Sequence, residues 1–249
     1  MSMIFGGPLA KEGNETIAID MPLYGLSEVN HDMNITYDDW IDLADDYINY
    51  ELSINDRPIF LYGLSAGGME TYHVACRNKK VKGIIGMTFL DQNSRKVRNR
   101  TTKNLFWAYL GTPLAKLACL FGLSKLKIKM SICSKMNALC NKKNALKVML
   151  NDKTSGGNSV TMKFIYSYMT AKPDIEPENF DICPILLTQP ERDRWTPLNL
   201  STSFLNKIEK VPVKIMILQE GGHYPIESKA LKQLHQYSLE FINNNFGCS

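Results

Sequence analysis

The sequence predicts an α/β protein with a mostly parallel β-sheet, flanking helices and an inserted helical segment. Short apolar runs rich in β-branched residues alternate with stretches of helical period, which is the pattern of βαβ units. This alternation stops in the middle of the chain and resumes near its end. The composition, with 44% apolar and 22% charged residues among 249, is that of an ordinary globular chain. It excludes collagen-like and disordered classes.

Five apolar runs are predicted to form strands. They occupy residues 16–20, 58–63, 81–90, 182–188 and 211–219. Between the first two runs, a capping box from Thr36 to Asp39 predicts the start of a helix. A last helix is predicted over residues 228–245, with Gly247 suited to its C-terminal end. Helices that connect successive runs are what a parallel sheet requires.

The middle of the chain departs from this alternation. Residues 98–178 contain no convincing strand and are rich in Leu, Met and Lys in helical stretches. Ordinary connections between a strand and a helix have only a few residues. We therefore predict a discontinuous core domain, formed by residues 1–97 and 179–249, and a helical cap formed by residues 98–178.

Charge is distributed unevenly along the chain. The net charge is +4, yet residues 92–151 contain thirteen Lys and Arg and no Asp or Glu, so the remainder carries −9. This basic stretch is either a solvated face or a surface for anionic lipid or an anionic substrate group. Its most apolar part, residues 105–123, contains Pro113 and Lys116, which argues against a membrane span and favours an apolar lid or an interfacial segment.

The cysteines and the N-terminal residues indicate in which cellular compartment the protein is expected. The six cysteines have neither CxxC nor Cys/His ligand spacing, and a chain of this length needs no disulfide framework. They are Cys76, Cys119, Cys133, Cys140, Cys183 and Cys248. Residues 1–8 have neither the basic nor the long apolar region of a signal peptide. We expect reduced thiols and a cytoplasmic protein, with peripheral membrane contact through the basic stretch left open.

The strongest chemical motif is GLSAG at residues 63–67, followed by Gly68. It stands directly after a predicted strand and before a helical stretch at residues 69–77. A serine in a tight strand-to-helix turn needs small residues two positions before and after it, because its backbone is strained and neighbouring segments pass close. Ser65 is therefore the candidate nucleophile, and the N–H of Ala66, at the helix start, is the candidate oxyanion donor.

A serine nucleophile needs a base to accept its proton and an acid to orient that base. His223 is the candidate base, since it follows the last predicted strand in the loop GGHYP. The other three histidines lie in an acidic loop or in predicted helices. For the acid we favour Asp193, in the loop ERDRWTP after the fourth run. Asp91, at the end of the third run, and Glu191, in the same loop as Asp193, remain alternatives.

These motifs together resemble the α/β-hydrolases of the lysophospholipase and monoacylglycerol-lipase-like group. The order Ser, Asp, His agrees, and ERDRWTP is close to the family pattern GxxDxxxP. Residues 19–27, IDMPLYGLS, resemble the family's D-x-P-G-x-G-x-S, with Leu23 where glycine is usual. The resemblance covers residues 3–97 and 179–249, whereas the cap matches only in position and helical character.

One departure concerns the N-terminus. The complete fold of the family begins with two or three strands, the last of which ends in a loop that donates one oxyanion N–H. Only about fifteen residues precede the first predicted strand here. We expect the usual N-terminal strands to be missing and residues 4–13 to form the following helix. The alternative is that residues 1–5 form a strand, with Gly6 and Gly7 as the oxyanion loop.

The resemblance implies a serine hydrolase of carboxylic esters that acts on a small acyl ester or a lipid-like substrate. Ser65, His223 and Asp193 would form its triad, with an acyl-enzyme intermediate and no metal or organic cofactor. Lactones and amides share this mechanism. The alternative is a non-catalytic or N-terminally truncated relative that binds a lipid or a partner. No GxxxxGK[ST], GxGxxG or HExxH motif occurs, and nothing predicts a nucleic-acid partner.

Overall fold

A computed structural model describes residues 3–246 of the chain. The chain divides into two units. The first unit consists of Met1–Ile19, Asp45–Leu90 and Pro173–Ser249, and the second consists of Asp20–Ala44 and Asp91–Lys172. The domain division expected from the sequence, with a core of residues 1–97 and 179–249 and a cap of residues 98–178, stays a proposal.

The strands form two separate sheets. They are β1 (Phe60–Gly63), β2 (Gly83–Gly86), β3 (Lys127–Lys129), β4 (Ser159–Thr161), β5 (Ile185–Pro190) and β6 (Val213–Leu218). The main sheet has the order β1-β2-β5-β6, and every neighbouring pair in it is parallel. Its strands all lie in the first unit: β1, β2 and β6 lie within predicted runs, and β5 overlaps the run at residues 182–188 and continues two residues beyond it. The predicted α/β class with a mostly parallel sheet is confirmed.

Helices make up most of the remaining regular structure. They are α1 (Met3–Lys11), α2 (Tyr37–Ile54), α3 (Ala66–Asn78), α4 (Arg95–Thr101), α5 (Leu105–Leu120), α6 (Met130–Cys133), α7 (Lys143–Asn151), α8 (Met162–Thr170), α9 (Leu198–Leu205) and α10 (Ser228–Asn245). Helix α1 confirms the helix predicted over residues 4–13. It contains Gly6 and Gly7, so the alternative oxyanion loop at these two residues is wrong. Gly247 and Cys248 lie outside the described residues.

The core of the first unit surrounds β2 and β5. Successive residues of a strand point to opposite faces, and those of both strands are buried, which means that both faces of the sheet are covered. One apolar cluster joins α1, α10 and the sheet through Leu9, Ile85, Leu186, Phe241 and Ile242. In α3, the Tyr72 ring packs on Phe180 and Phe204, with centroids 4.7 and 4.9 Å away. These contacts fix the strand ends and α3, from which the candidate site is built.

The first helix after α1 begins at the predicted capping box. The Thr36 N–H donates to the Asp39 carboxylate at 2.7 Å, and the Asp39 N–H donates to the Thr36 hydroxyl at 3.2 Å. The two residues thus satisfy backbone N–H groups that have no partner within the helix. The prediction of a helix starting here is confirmed by α2.

The strand predicted at residues 16–20 is wrong. These residues are irregular, and Ile17 and Ile19 are 49% and 39% exposed. An apolar, β-branched run becomes a strand only when a neighbouring strand pairs with its backbone groups. Among residues 3–246, the main sheet ends at β1, whose single paired neighbour is β2. The run therefore has the composition of a strand without the pairing that makes one.

The second unit contains α4 to α8 and a small antiparallel sheet. Strands β3 and β4 pair in the register Lys127↔Thr161, Ile128↔Val160 and Lys129↔Ser159. The expectation of no strand in residues 98–178 is wrong, because three-residue strands are too short to show an alternating pattern. Helix α5 packs against α8. None of the helices described over residues 3–246 is both long and apolar enough to cross a membrane.

The residue that departs from the family pattern has an unusual backbone. Leu23 has a φ of 77°, in the left-handed region that residues other than glycine and asparagine rarely adopt. Its carbonyl oxygen accepts a hydrogen bond from the Asn158 amide at 2.6 Å. Two residues later, the Gly25 N–H donates to the Thr154 carbonyl at 2.9 Å. The turn thus keeps the conformation that suits glycine although leucine occupies it.

Candidate active site

Ser65 lies between β1 and α3 in a strained turn. Its φ and ψ are 57° and −118°, a combination that a residue with a side chain adopts only when its surroundings impose it. The Ser65 carbonyl oxygen accepts hydrogen bonds from the Thr88 hydroxyl at 3.0 Å and from the Gly68 N–H at 3.1 Å. The turn is therefore held both by the helix that follows it and by the loop after β2.

Close backbone approach explains two of the glycines around Ser65. A Cβ atom on Gly63 would lie 2.0 Å from the Gly67 carbonyl oxygen, and one on Gly68 would lie 1.9 Å from the Thr88 carbonyl oxygen. A Cβ atom on Gly67 would meet nothing within 4 Å. The expected need for a small residue two positions before Ser65 agrees with this geometry. After Ser65, the crowded position is the third rather than the second.

The start of α3 offers a backbone donor beside the nucleophile. Ala66 is the first residue of this 13-residue helix, so no carbonyl within the helix is available to its N–H. The N–H groups of Gly67 and Gly68 donate to the Leu64 and Ser65 carbonyl oxygens. The N-terminal end of the helix dipole also stabilises negative charge. The Ala66 N–H thus stays the candidate oxyanion donor.

The structure brings Ser65, His223 and Asp193 into one hydrogen-bonded chain. The distance from His223 Nε2 to Ser65 Oγ is 2.9 Å, and that from His223 Nδ1 to Asp193 Oδ2 is 2.8 Å. The side chains of His223 and Asp193 are almost fully buried. All three residues belong to the first unit. Each follows a strand of the main sheet, where parallel sheets gather functional residues.

The Asp193 carboxylate is surrounded by donors. The backbone N–H groups of Trp195 and Thr196 both donate to Oδ1 at 2.8 Å, and the Thr196 hydroxyl donates to Oδ2 at 2.6 Å. Burial by itself would raise the pKa of Asp193, but the hydrogen bonds and charge of His223, together with Thr196, outweigh it and lower that pKa. Asp193 is therefore ionised at neutral pH and able to orient the His223 ring.

Sequence reasoning missed the part played by the two residues that follow the acid. The Thr196 hydroxyl lies 3.0 Å from His223 Nδ1 as well as against Asp193. The Trp195 ring packs on the His223 ring, with centroids 4.8 Å apart. Both residues stand in the quoted motif ERDRWTP, yet their contacts depend on how the loop turns. The available signal was only their closeness to Asp193 in the sequence.

The loops that carry the acid and the base are joined to each other. The Arg192 N–H donates to the Gly221 carbonyl at 2.8 Å. The Glu191 carboxylate accepts the Glu220 N–H at 2.8 Å. Of the alternative acids, Glu191 thus connects the two loops, and Asp91 accepts the Asn93 N–H at 2.8 Å within its own turn. Neither occupies the position that Asp193 holds beside His223 Nδ1.

Metal-ligating side chains and cysteines are the other chemically reactive groups of the chain. Within residues 3–246, no group of three or more His, Cys, Asp and Glu side chains is arranged to hold a metal ion. The five cysteines that the structure describes are free thiols: Cys76, Cys119, Cys133, Cys140 and Cys183. Burial raises the pKa of the Cys76 thiol to about 11, which keeps it protonated and unreactive at neutral pH.

Comparison with known proteins places the chain in a family. The family model described as Hydrolase_4, serine aminopeptidase S33, matches residues 4–228. The chain belongs to this family. Hydrolase_4 membership confirms the resemblance to α/β-hydrolases and makes the protein a serine hydrolase of the α/β-hydrolase type. No curated protein matches the chain in sequence.

Solved structures share the fold of this Hydrolase_4 chain. A soluble variant of the Saccharomyces cerevisiae monoglyceride lipase, in complex with a substrate analogue, has a TM-score of 0.70 at 13% identity, over 91% of this chain and 76% of that one. The Paleococcus ferrophilus monoacylglycerol lipase has a TM-score of 0.60 at 17% identity, over 82% and 76%. A Thermogutta terrifontis esterase has a TM-score of 0.56 at 17% identity, over 91% and 78%.

A buried carboxyl in α3 lies outside the triad of this Hydrolase_4 chain. Burial raises the pKa of Glu70 to about 8, and its Oε1 has no hydrogen-bond partner among the described residues. Between its ordinary pKa of 4.5 and about 8, the unfolded chain releases a proton that the native protein keeps. We therefore expect the free energy of unfolding to fall as pH rises across this interval, by up to about 1.4 kcal/mol per pH unit.

Urea unfolding at several pH values measures this dependence. The isosteric variant Glu70→Gln has no proton to release, so its stability should vary less with pH over the same interval. Glu209→Gln, an exposed substitution in the same unit, is the matched control and should behave like the wild type. Equal pH dependence in the wild type and in Glu70→Gln would contradict the prediction.

Proposed function

We propose that the protein hydrolyses carboxylic esters through a Ser65-His223-Asp193 triad and an acyl-enzyme. The observation that carries this proposal is the unbroken chain of hydrogen bonds from Ser65 Oγ through both nitrogens of His223 to Asp193. Its buried, ionised acid and its strained nucleophile turn are the features that such a triad requires. A site that only binds lipid would need neither of them.

In the proposed reaction, Ser65 Oγ attacks the acyl carbonyl carbon while His223 Nε2 accepts the hydroxyl proton. Asp193 holds the His223 ring in orientation and stabilises its positive charge. The Ala66 N–H and the N-terminus of α3 stabilise the oxyanion. His223 then protonates the leaving alcohol, and the acyl group stays on Ser65. Water, deprotonated by His223, then attacks the acyl carbon; the bond between Ser65 Oγ and the acyl carbon breaks, the carboxylic acid is released, and His223 returns the proton to Oγ.

For the substrate we propose a small ester of a lipid-like acyl group. Two of the structures that share the fold are named monoacylglycerol lipases, and one of these was solved with a substrate analogue. The free thiols of the described cysteines support the proposal that the enzyme works in the reducing environment of the cytoplasm. The family description names an aminopeptidase, so the amide of an amino acid is the substrate class that competes with an ester.

A substrate panel tests this proposal. The panel holds a monoacylglycerol, a lysophospholipid, a lactone, a long-chain acyl amide and an aminoacyl anilide, with release of acid or amine measured for each. We expect the two acyl glycerol esters to have a higher kcat/KM than the two amides, since ester carbonyls are more reactive than amides in the same triad. Highest activity on the aminoacyl anilide would make the protein a peptidase. Absence of activity on every compound, with a folded protein, would remove the hydrolytic proposal.

A further inference from the structure

Helix α5, in the second unit, exposes most of its large apolar side chains and buries only two alanines. Ala108 and Ala115 are the buried residues of the helix. The exposed large apolar residues of α5 and of the segment after it are Leu105, Phe106, Tyr109, Leu110, Leu114, Leu117, Leu120, Phe121, Leu123 and Leu126. Several are strongly exposed, with Leu120 at 69% and Phe121 at 79%. We call this set the apolar face of α5.

Such a face is unusual on a protein surface. A surface helix ordinarily turns its large apolar side chains inward and its charged ones outward. Here α5 packs on α8 and has Lys116 as its one charged residue, so the outward side is almost wholly apolar. Contiguous exposed apolar patches mark places where a protein binds a partner, a ligand or a membrane.

Basic residues accompany the apolar face. Lys103 precedes α5 and Lys116 lies within it, while the Arg95 guanidinium sits over the Tyr109 ring at 4.3 Å from its centroid. Lys127 and Lys129 follow on β3, both exposed on the same side of the strand. No Asp or Glu occurs between residues 92 and 151. The second unit as a whole has sixteen Lys and Arg against eight Asp and Glu, a net charge of +8.

Charge decides between the partners that could cover this face. Two copies meeting there would bring two segments without any acidic residue against each other, which opposes association. An anionic lipid membrane has an apolar interior, which matches the exposed apolar side chains, and negative headgroups, which match the basic residues. We propose that the apolar face of α5 and its flanking basic residues attach the protein to anionic lipid membranes. Because its other side packs on α8, the helix enters only the boundary between headgroups and acyl chains.

Co-sedimentation with vesicles tests the attachment. One set of vesicles is pure phosphatidylcholine, and the other mixes phosphatidylcholine with phosphatidylglycerol. We expect the wild type to pellet with the mixed vesicles and to be largely released at high salt, since the screening length falls from about 10 Å at 0.1 M to about 3 Å at 1 M. Little protein should pellet with pure phosphatidylcholine. Equal pelleting with both kinds of vesicle, or none with either, would overturn the proposal.

Two triple variants separate the contributions of charge and apolar contact. The first is Lys116→Glu/Lys127→Glu/Lys129→Glu, and the second is Phe106→Ser/Leu110→Ser/Leu117→Ser. Lys125 is left unchanged because its ammonium donates to the His31 carbonyl at 2.8 Å. Each variant is expected to reduce the bound fraction on mixed vesicles at least about tenfold, because both forces are needed for stable attachment. Circular dichroism melting verifies that the variants are folded.

Matched controls carry the same changes on exposed residues of the first unit. They are Lys11→Glu/Lys82→Glu/Lys214→Glu and Ile17→Ser/Tyr50→Ser/Ile54→Ser. Both should bind mixed vesicles like the wild type. A loss in the controls equal to that in the α5 variants would overturn the proposal, because the effect would then follow total charge or hydrophobicity. Self-association of the wild type without lipid, abolished by the serine variant, would assign the face to a second copy instead.

Discussion

Replacing Ser65 with alanine is expected to abolish hydrolysis and all covalent labelling by a fluorophosphonate. Without the nucleophile no acyl-enzyme can form, and losses of about 10⁶ in kcat are typical when a serine of this kind is removed. Alanine tolerates the Ser65 backbone conformation as serine does, since both carry a Cβ atom. The fold should therefore survive the substitution, and the loss of labelling would report chemistry alone.

The matched control for this experiment is Ser203→Ala. Ser203 lies in α9 of the same unit, where its hydroxyl donates to the Leu200 carbonyl at 2.7 Å. This variant should be labelled at the wild-type rate, with labelling followed by gel fluorescence and intact-protein mass. If the folded wild type is not labelled by the fluorophosphonate, the proposal that the site is catalytic is wrong. If Ser65→Ala is labelled, another residue is the nucleophile.

The second large effect is expected at the acid, where Asp193→Asn should lower kcat by about 10⁴. The carboxylate accepts hydrogen bonds on both oxygens, two from backbone N–H groups on Oδ1 and two from Thr196 and His223 on Oδ2. Asparagine has only one acceptor oxygen, so its amide nitrogen must face one of these pairs of donors. The His223 ring then loses its preferred tautomer or its orientation.

The alternative acids supply the comparison for this prediction. Asp91→Asn and Glu191→Gln are expected to lose less than about tenfold in kcat, because each carboxylate accepts a backbone N–H away from His223 Nδ1. Steady-state kinetics on one soluble ester, corrected for the folded fraction, ranks the three variants. Equal losses in Asp193→Asn and Asp91→Asn, or the reverse order, would move the acid to Asp91.

The sequence correctly predicted the features that are determined by residues close together in the chain. Strands β2 and β5 of the main sheet are buried on both sides, and a continuous apolar run reports that burial directly. The turn at Ser65 is encoded by Gly63 and by the flanking strand and helix. The helix start at Thr36 needed only two side chains and their own backbone. Each of these features depends on residues close to it in the sequence.

The failures depend on partners that are distant in the sequence. Residues 16–20 have the composition of a strand, but whether they form one depends on a neighbouring strand that pairs with their backbone. Strands β3 and β4 pair with each other although their paired residues lie at least 30 positions apart in the sequence. Each has three residues, which is too short to show the alternating pattern of a strand. The role of Thr196 follows from a loop conformation that composition does not define. For residues 105–123 the sequence favoured an apolar lid or an interfacial segment, but a helix that is apolar on nearly every side does not show which of its residues are buried.

At Ser65, the left-handed backbone conformation lowers stability, while the serine side chain is needed for the proposed catalysis. Glycine would adopt the same φ without a Cβ clash, whereas serine retains strain of the order of 1–3 kcal/mol there. Selection for heat resistance alone would therefore favour a residue that cannot act as a nucleophile. Leu23, at a φ of 77° and with no part in the proposed chemistry, is the site where the same backbone strain can be relieved without loss of activity.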